Sequence, residues 1–350
     1  MNLYNEILMS QIIHFYKLYI YIYMIHTRKN NNRKNNKTIK KSLSIKPYSG
    51  DNIIVFKPNR KAIEFANQDI HKYLFKDKVN VDNAINQHDN FKKILKQQGQ
   101  KFIDIFEYMP KNTPYEYFAN LLFTRDPFIK TPKGIILGNM REPVRKHDTE
   151  MIETIMQKFK QPIIYKCKQD EFLEGGDFLI NCNTAFIGTG ARTSINAAKK
   201  LLKLNLYGTK RVVIIYPEHP DKSMYRIHLD CIFSPFGCKQ CVIWDDLTHT
   251  NSMHKRLAIE YTLQSNGTYK KTSKAKNLFK YLKDDHYNII KVSTESQHNY
   301  GTNILELNNG NILVQDKETY KKIEGSIFVP FHEIHKMYGG LHCATNSFFS

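Results

Sequence analysis

Four short blocks of this sequence carry side chains able to make and break covalent bonds. They are Arg125-Asp126, Glu174-Gly-Gly-Asp177, His228-Leu-Asp230 and Gly339-Gly-Leu-His-Cys343. A cysteine thiolate is a sulfur nucleophile able to attack an electrophilic carbon. A histidine beside a carboxylate suits general acid and base work, because the carboxylate fixes the tautomer and stabilises imidazolium. Several carboxylates around one cavity select a delocalised cation with many donors. A guanidinium fits that description, being planar with its N–H groups in a fixed fork. Asp126 follows the apolar run Leu121–Phe123 and precedes Pro127; a carboxylate in such a flank is costly to bury unless a cation meets it. The glycine pair between Glu174 and Asp177 permits close approach of backbone or ligand. Each block alone also has a plainer reading: a surface ion pair, a tight turn, an idle cysteine. Together they point to Cys343 as nucleophile for the central carbon of a guanidinium.

The elements that must hold these blocks repeat a plan rather than letters. Strands are expected at 120–128 and 134–140, a helix at 146–160 from the spacing of Met151, Ile152, Ile155, Met156 and Phe159, and a returning strand at 162–165. The same order recurs at 178–181, 184–188, 194–204 and 211–216, then at 228–233, 240–244, 274–283 and 287–292. A fourth set falls at 303–307, 311–315, 317–322 and 326–329. A fifth is split between 341–348 at one end and 52–57, 89–98 and 101–108 at the other. Units of about 50 residues cannot bury a sheet alone and are expected to assemble around a shared axis. The expected fold is therefore α/β, a five-bladed propeller of ββαβ repeats with pseudo-fivefold symmetry. The polar blocks fall at the first strand of their units, so strands lining the axis would bring them into one cavity. On a strand, His228 and Asp230 would face the same side. The polar stretch 247–273 is expected to be an irregular loop over the cavity mouth.

Composition narrows the class. With 350 residues, 41% hydrophobic and 24% charged, the chain is an ordinary globular protein rather than a disordered one. The net charge of +19 suggests nucleic acid, but residues 1–46 hold nine Lys/Arg against Glu6 alone, which leaves +11 on the other 304 residues. No aromatic–basic recognition motif stands out, and no specific nucleic-acid partner is expected. Residues 1–48 read as an N-terminal extension, and 49–350 as the catalytic domain. The apolar stretch 7–25 is broken by Gln11, His14 and Lys17, and membrane contact is expected only there, if anywhere. Six cysteines are too sparse for a disulfide scaffold, which suits a reduced, cytoplasmic protein. Cys231, Cys238 and Cys241 with His228 could be read as zinc ligands, but a second ligand pair is missing and packing is the preferred account. Cys167 and Cys182 read as small core residues.

Phe123-Thr-Arg-Asp-Pro-Phe128, Glu174-Gly-Gly-Asp177, Ala191-Arg-Thr193, His228-Leu-Asp230 and Gly339-Gly-Leu-His-Cys343 resemble the signature blocks of the arginine deiminase and amidinotransferase superfamily, in family order over roughly 220 residues. The resemblance implies a pentein fold, no cofactor and no metal. It implies that Cys343 attacks the guanidinium carbon, that Asp126 and Asp230 clamp the guanidinium nitrogens, and that His228, oriented by Glu174, handles the protons. Arg145 and Arg192 fall where the family binds a substrate α-carboxylate. Asn120 is a further substrate-side candidate, and Asp177 a turn carboxylate beside the substrate. Two departures stand out: no helical insertion precedes the Phe-Thr-Arg-Asp block, and His342 stands where arginine deiminases commonly carry arginine. The expected activity is hydrolysis of a C–N bond of free arginine or a derivative to citrulline and ammonia or an amine. An amidinotransferase using the same residues is the near alternative, and a basic nucleic-acid-binding protein the distant one. The expected partner is a small guanidino substrate; a homo-oligomer stays open.

Overall fold

Short apolar strands alternate with amphipathic helices along the chain, and the computed structural model describes residues 52–349. The extension 1–48, with its stretch 7–25, lies outside them. In order, the elements are β1 (Asn52–Val55), α1 (Arg60–Ala66), α2 (Val81–Gln97) and β2 (Lys101–Asp104). Then come β3 (Phe128–Thr131), β4 (Gly134–Leu137), α3 (Lys146–Lys158) and β5 (Ile163–Lys166). β6 (Phe178–Asn181), β7 (Thr184–Gly188), α4 (Ile195–Lys203) and β8 (Arg211–Pro217) follow. The next group is β9 (Phe233–Phe236), β10 (Gln240–Trp244), β11 (Arg256–Leu263), β12 (Tyr269–Lys271), β13 (Lys276–Asn277), α5 (Leu278–Asp284) and β14 (Asn288–Val292). The last is α6 (Thr294–His298), β15 (Leu305–Glu306), β16 (Ile312–Val314), α7 (Lys317–Lys322), β17 (Ile327–Phe328) and β18 (Asn346–Phe348).

Among the described residues these strands form five sheets, and each contains the same three-strand pattern. A middle strand pairs antiparallel with one neighbour and parallel with the other: β4 between β3 and β5, β7 between β6 and β8, β10 between β9 and β14, β16 between β15 and β17. The fifth is built from both ends of the domain, β1 lying between β18 and β2. Parallel neighbours need a crossover, which α3, α4, α5 and α7 supply in four units and α1 and α2 in the fifth. α4 shows how. Ser194 caps it by accepting from the Ala197 N–H at 3.1 Å, and Ala197, Ala198, Leu201 and Leu202 turn inward at helical spacing. Burying each leucine contributes roughly 1.5–3 kcal/mol.

Three expectations change. Residues 119–127 form turns rather than a strand. Pro127 has no N–H for a ladder, and the peptides of Arg125 and Asp126 bond to other loops: Arg125 N–H donates to Cys343 O, and Asp126 O accepts from Gly175 N–H. Residues 229–231 form a single 3-10 turn before β9. The stretch 247–273 is not irregular throughout but contains β11 and β12: β11 pairs antiparallel with β8 and with β12, widening that sheet. Its run of Leu257, Ile259 and Tyr261 alternating with Ala258, Glu260 and Thr262 is a strand inside that sheet, with β8 on one side and β12 and β13 on the other.

The cysteines are also rearranged. Cys182 and Cys238, in the hairpin turns after β6 and after β9, form a disulfide. Neither the fully reduced state nor the core placement of Cys182 holds, and Cys238 is unavailable to a zinc quartet with Cys231, Cys241 and His228. Among the described residues no helix is long and apolar enough to cross a membrane.

Candidate active site

The turns ahead of the first strands, not the strands themselves, carry the candidate functional side chains. Because 229–231 is a 3-10 turn, His228 and Asp230 diverge instead of sharing a face, and each joins a different cluster. In the first, His228 Nε2 meets Glu174 Oε2 at 2.8 Å, while His228 Nδ1 faces Asp126 Oδ1 at 3.7 Å. Gly176 makes room for the ring: a Cβ there would lie 2.7 Å from His228 Cγ. Glu174 is fixed by the Arg141 N–H, which donates to Oε1 at 2.9 Å, and Thr193 Oγ1 accepts from the Glu174 N–H at 3.1 Å.

Burial alone would lower the His228 pKa, but Asp126 and Glu174 outweigh it and raise it to about 10. Its partner Glu174 is held low, to about 2: burial pushes its carboxyl up, and His228, Arg192 and Arg145 pull it further down. The resting pair is imidazolium and carboxylate.

The second cluster centres on Asp230, which is fully buried. Its Oδ2 is 2.8 Å from His342 Nδ1 and accepts the Cys343 thiol at 3.6 Å; its Oδ1 accepts the Cys231 thiol at 3.5 Å. Asn303, in the turn before β15, organises the Cys343 loop. Its Oδ1 accepts from the backbone N–H groups of His342 (2.9 Å) and Cys343 (3.2 Å), and its Nδ2 donates to Cys343 Sγ at 3.1 Å. Arg125 ties this loop to the Asp126 turn by donating from Nε to His342 O at 3.2 Å. Asn303, His342 and Cys231 lie outside the residues singled out from sequence as catalytic. Asn303 carries no motif, and only its place in the fold identifies it.

Between the two clusters lies a cavity of about 380 Å³ including its open mouth, lined by Asn120, Asp126, Arg145, Arg192, His228 and Cys343 among others. Asp126 Oδ1 is buried there and accepts no hydrogen bond among the described residues. Its Oδ2 is engaged by Arg145 Nη1 at 2.5 Å. Arg145 also donates from Nε to Asp148 at 2.8 Å and from Nη2 to the carbonyls of Asn120 and Phe123. Arg145 is thus largely committed to positioning Asp126. Arg192 is freer, with Glu142 at 3.6 Å, Glu174 at 3.7 Å and the Met224 sulfur at 3.6 Å. Asp177 does not line this cavity. It faces a neighbouring one and accepts from the Leu229 N–H at 2.9 Å, which anchors the His228 turn.

Asp126, Glu174 and His228 form one group of close donor atoms, and Asp230, Cys231 and Cys343 another, each within 4.8 Å. In geometry alone either could meet a cation. The first group already contains an imidazolium, so the open Asp126 oxygen suits a hydrogen-bond-donating organic cation better than a bare metal ion.

The profile of the family described as "Arginine deiminase" matches residues 105–349, more than two thirds of the chain. The arginine deiminase of Borreliella burgdorferi strain ZS7 is 26% identical over 251 residues, covering 65% of this chain and 60% of that protein. The arginine deiminase of Bacillus cytotoxicus is 33% identical over 141 residues, 37% of this chain and 34% of that one. The chain therefore spans between about a third and three fifths of these relatives. Among solved structures, DDAH from Pseudomonas aeruginosa complexed with citrulline superposes with a TM-score of 0.61 at 18% identity, over 86% of this chain and 100% of that one. The substrate-bound N-terminal domain of ArgZ, an arginine dihydrolase from cyanobacteria, gives 0.62 at 14% identity, over 84% and 97%. At these identities the likeness is one of fold.

Proposed function

The chain belongs to the arginine deiminase family, and from that premise we propose that it is a cysteine hydrolase of the guanidino group, converting free arginine and water to citrulline and ammonia. The observation that carries the reading is the open oxygen of Asp126, a buried acceptor with no donor, in the same cavity as the Cys343 thiol. The catalytic domain is taken as 49–350, and its five sheets as five blades around the cavity.

A guanidinium placed there donates to Asp126 Oδ1 and, displacing His342, to Asp230. That grip holds its carbon against Cys343 Sγ. The Cys343 thiol gives up its proton to solvent and the thiolate adds to the carbon; His228, imidazolium at neutral pH, gives its proton to the departing nitrogen, which leaves as ammonia. The neutral imidazole then takes a proton from water as its oxygen adds to the S-alkylated carbon. Collapse of that intermediate expels the thiolate, its hydroxyl proton passes to solvent as the carbonyl forms, and citrulline is released. Arg192, whose ion pairs with Glu142 and Glu174 are long at 3.6 and 3.7 Å, suits the substrate carboxylate; Arg145 holds Asp126 and shares the cavity wall with Asn120.

The test is incubation of the full chain with arginine, with and without glycine or lysine, beside Cys343→Ala. Citrulline and ammonia without an acceptor, lost in the variant, support the proposal. Ornithine and a new guanidino product formed only with acceptor would replace it by amidino transfer. No product in either case would overturn the arginine reading.

A further inference from the structure

Cys231 has no task in the hydrolysis just described, yet its sulfur lies within 4.8 Å of the Cys343 sulfur. Both thiols donate to opposite oxygens of the same carboxylate, that of Asp230. The remaining free cysteines, Cys167 and Cys241, are buried apart from the site in the core clusters. Any small apolar residue could fill position 231, which is 1% exposed. A second sulfur beside the nucleophile brings chemistry that packing does not require. The turn carrying it is also held firmly: Cys231 N–H donates to His228 O, and Cys231 O accepts from Gln297 Nε2 at 2.9 Å.

We propose that Cys231 is the resolving cysteine of a peroxide-sensitive switch, which closes a disulfide to Cys343 and reversibly silences the site. This rests on the reading of Cys343 as the nucleophile. The Cys343 thiolate attacks one oxygen of hydrogen peroxide; the O–O bond breaks, hydroxide leaves, and the sulfur becomes a sulfenic acid. The Cys231 sulfur then attacks the sulfenic sulfur. The S–S bond forms, the S–O bond breaks, and the departing hydroxide takes the Cys231 proton and leaves as water. Peroxide is thus reduced to water while two thiols become one disulfide. Cys343 lines the open cavity and meets peroxide first. The adjoining Cys343 sulfur and burial keep the Cys231 thiol well above the ordinary range, hence protonated until it resolves the sulfenic acid. The sulfurs need close by at most ~2.8 Å to reach a bond of about 2.05 Å. Without a partner, the sulfenic acid proceeds to the irreversible sulfinic acid.

The full chain and Cys231→Ala are exposed to hydrogen peroxide, digested without reduction and mapped by mass spectrometry; Cys231→Ser serves if the alanine variant does not fold. The map separates the new cross-link from Cys182–Cys238. The expected result is a Cys231–Cys343 cross-linked peptide in the native chain, with nearly complete return of Cys343 alkylation on adding a thiol reductant. The variant should instead accumulate Cys343 sulfinic acid with almost no return. Equal sulfinic acid in both proteins and no cross-linked peptide would overturn the proposal. A cross-link in a protein that turns over no guanidino compound would overturn the hydrolase reading and keep the switch. Turnover without a cross-link would do the reverse.

Discussion

Exchanging Asn303 for aspartate separates the two jobs of that side chain. The carboxylate keeps the oxygen that accepts from the His342 and Cys343 N–H groups, and replaces the amide donor 3.1 Å from Cys343 Sγ with a negative oxygen. At that distance two like charges repel by about 5 kcal/mol at an effective dielectric near 20. The lost hydrogen bond to a thiolate removes a further 1.5–3 kcal/mol or so. One pH unit corresponds to about 1.4 kcal/mol, and rotation of the carboxylate away from sulfur relieves part of the repulsion. If rotation relieves about half of the combined total of roughly 6.5–8 kcal/mol, Asn303→Asp should move the midpoint for Cys343 thiolate formation up by about two to three pH units. The assay is the iodoacetamide alkylation rate of Cys343 against pH, with citrulline formation followed in parallel. Turnover at neutral pH should fall on the order of a hundredfold or more, as the reactive fraction shrinks. A midpoint within about 0.5 pH unit of the native protein, in a variant with unchanged circular dichroism, would refute the role given to Asn303.

Burial pushes the Asp177 carboxyl up to about 6, against the pull of His228, Thr193 and the Leu229 N–H. The folded protein then binds that proton more tightly than the unfolded chain. Its contribution to stability is full below about pH 4 and is lost as pH rises through about 6. Asp177→Asn keeps an acceptor for Leu229 and should flatten urea stability between pH 4 and 6 by up to about 1.4 kcal/mol per pH unit; parallel curves would contradict this. Arg145→Lys cannot serve Asp126, Asp148 and two carbonyls at once. It should cost about 3–5 kcal/mol in denaturant unfolding and most of the turnover, and native stability would count against the positioning role. Opening the Cys182–Cys238 link, which spans 56 residues, should destabilise by about 2–4 kcal/mol. Thermal unfolding with and without reductant checks this, and an unchanged Tm contradicts it.

What the sequence disclosed follows the reach of each physical signal. Local periodicity placed α3 and α4 and the strands β6, β7 and β10, because their burial patterns repeat within one element. The site turns were misread as strands because the apolar flank Leu121–Phe123 resembles a strand, while what shapes it is bonding between distant loops, such as Arg125 to Cys343. β11 went unrecognised because half of its faces are polar and its partner β8 lies some forty residues earlier. The Cys182–Cys238 pairing has the same origin: two unrelated turns meet only after folding. Cys343, His228, Glu174 and Asp126 stand out as candidates in the sequence since their chemistry is written in residue type. Asn303 was not, as an asparagine that satisfies two backbone amides looks like any turn residue until those amides are placed beside it.

The sheet that joins β1 to both β2 and β18 sets an order on biosynthesis. A ribosome releases β1 and β2 early, and the strand that covers the other edge of β1 only after residue 346 has emerged. Until then Ile53, Ile54 and Val55, nearly or fully buried in the finished protein, stand beside an open ladder edge, and such edges recruit other strands. Cys343, the proposed nucleophile, lies just ahead of β18. A nascent chain stalled before β18 therefore leaves an edge of β1 uncovered and prone to recruit other strands, and one stalled before residue 343 also lacks the proposed nucleophile.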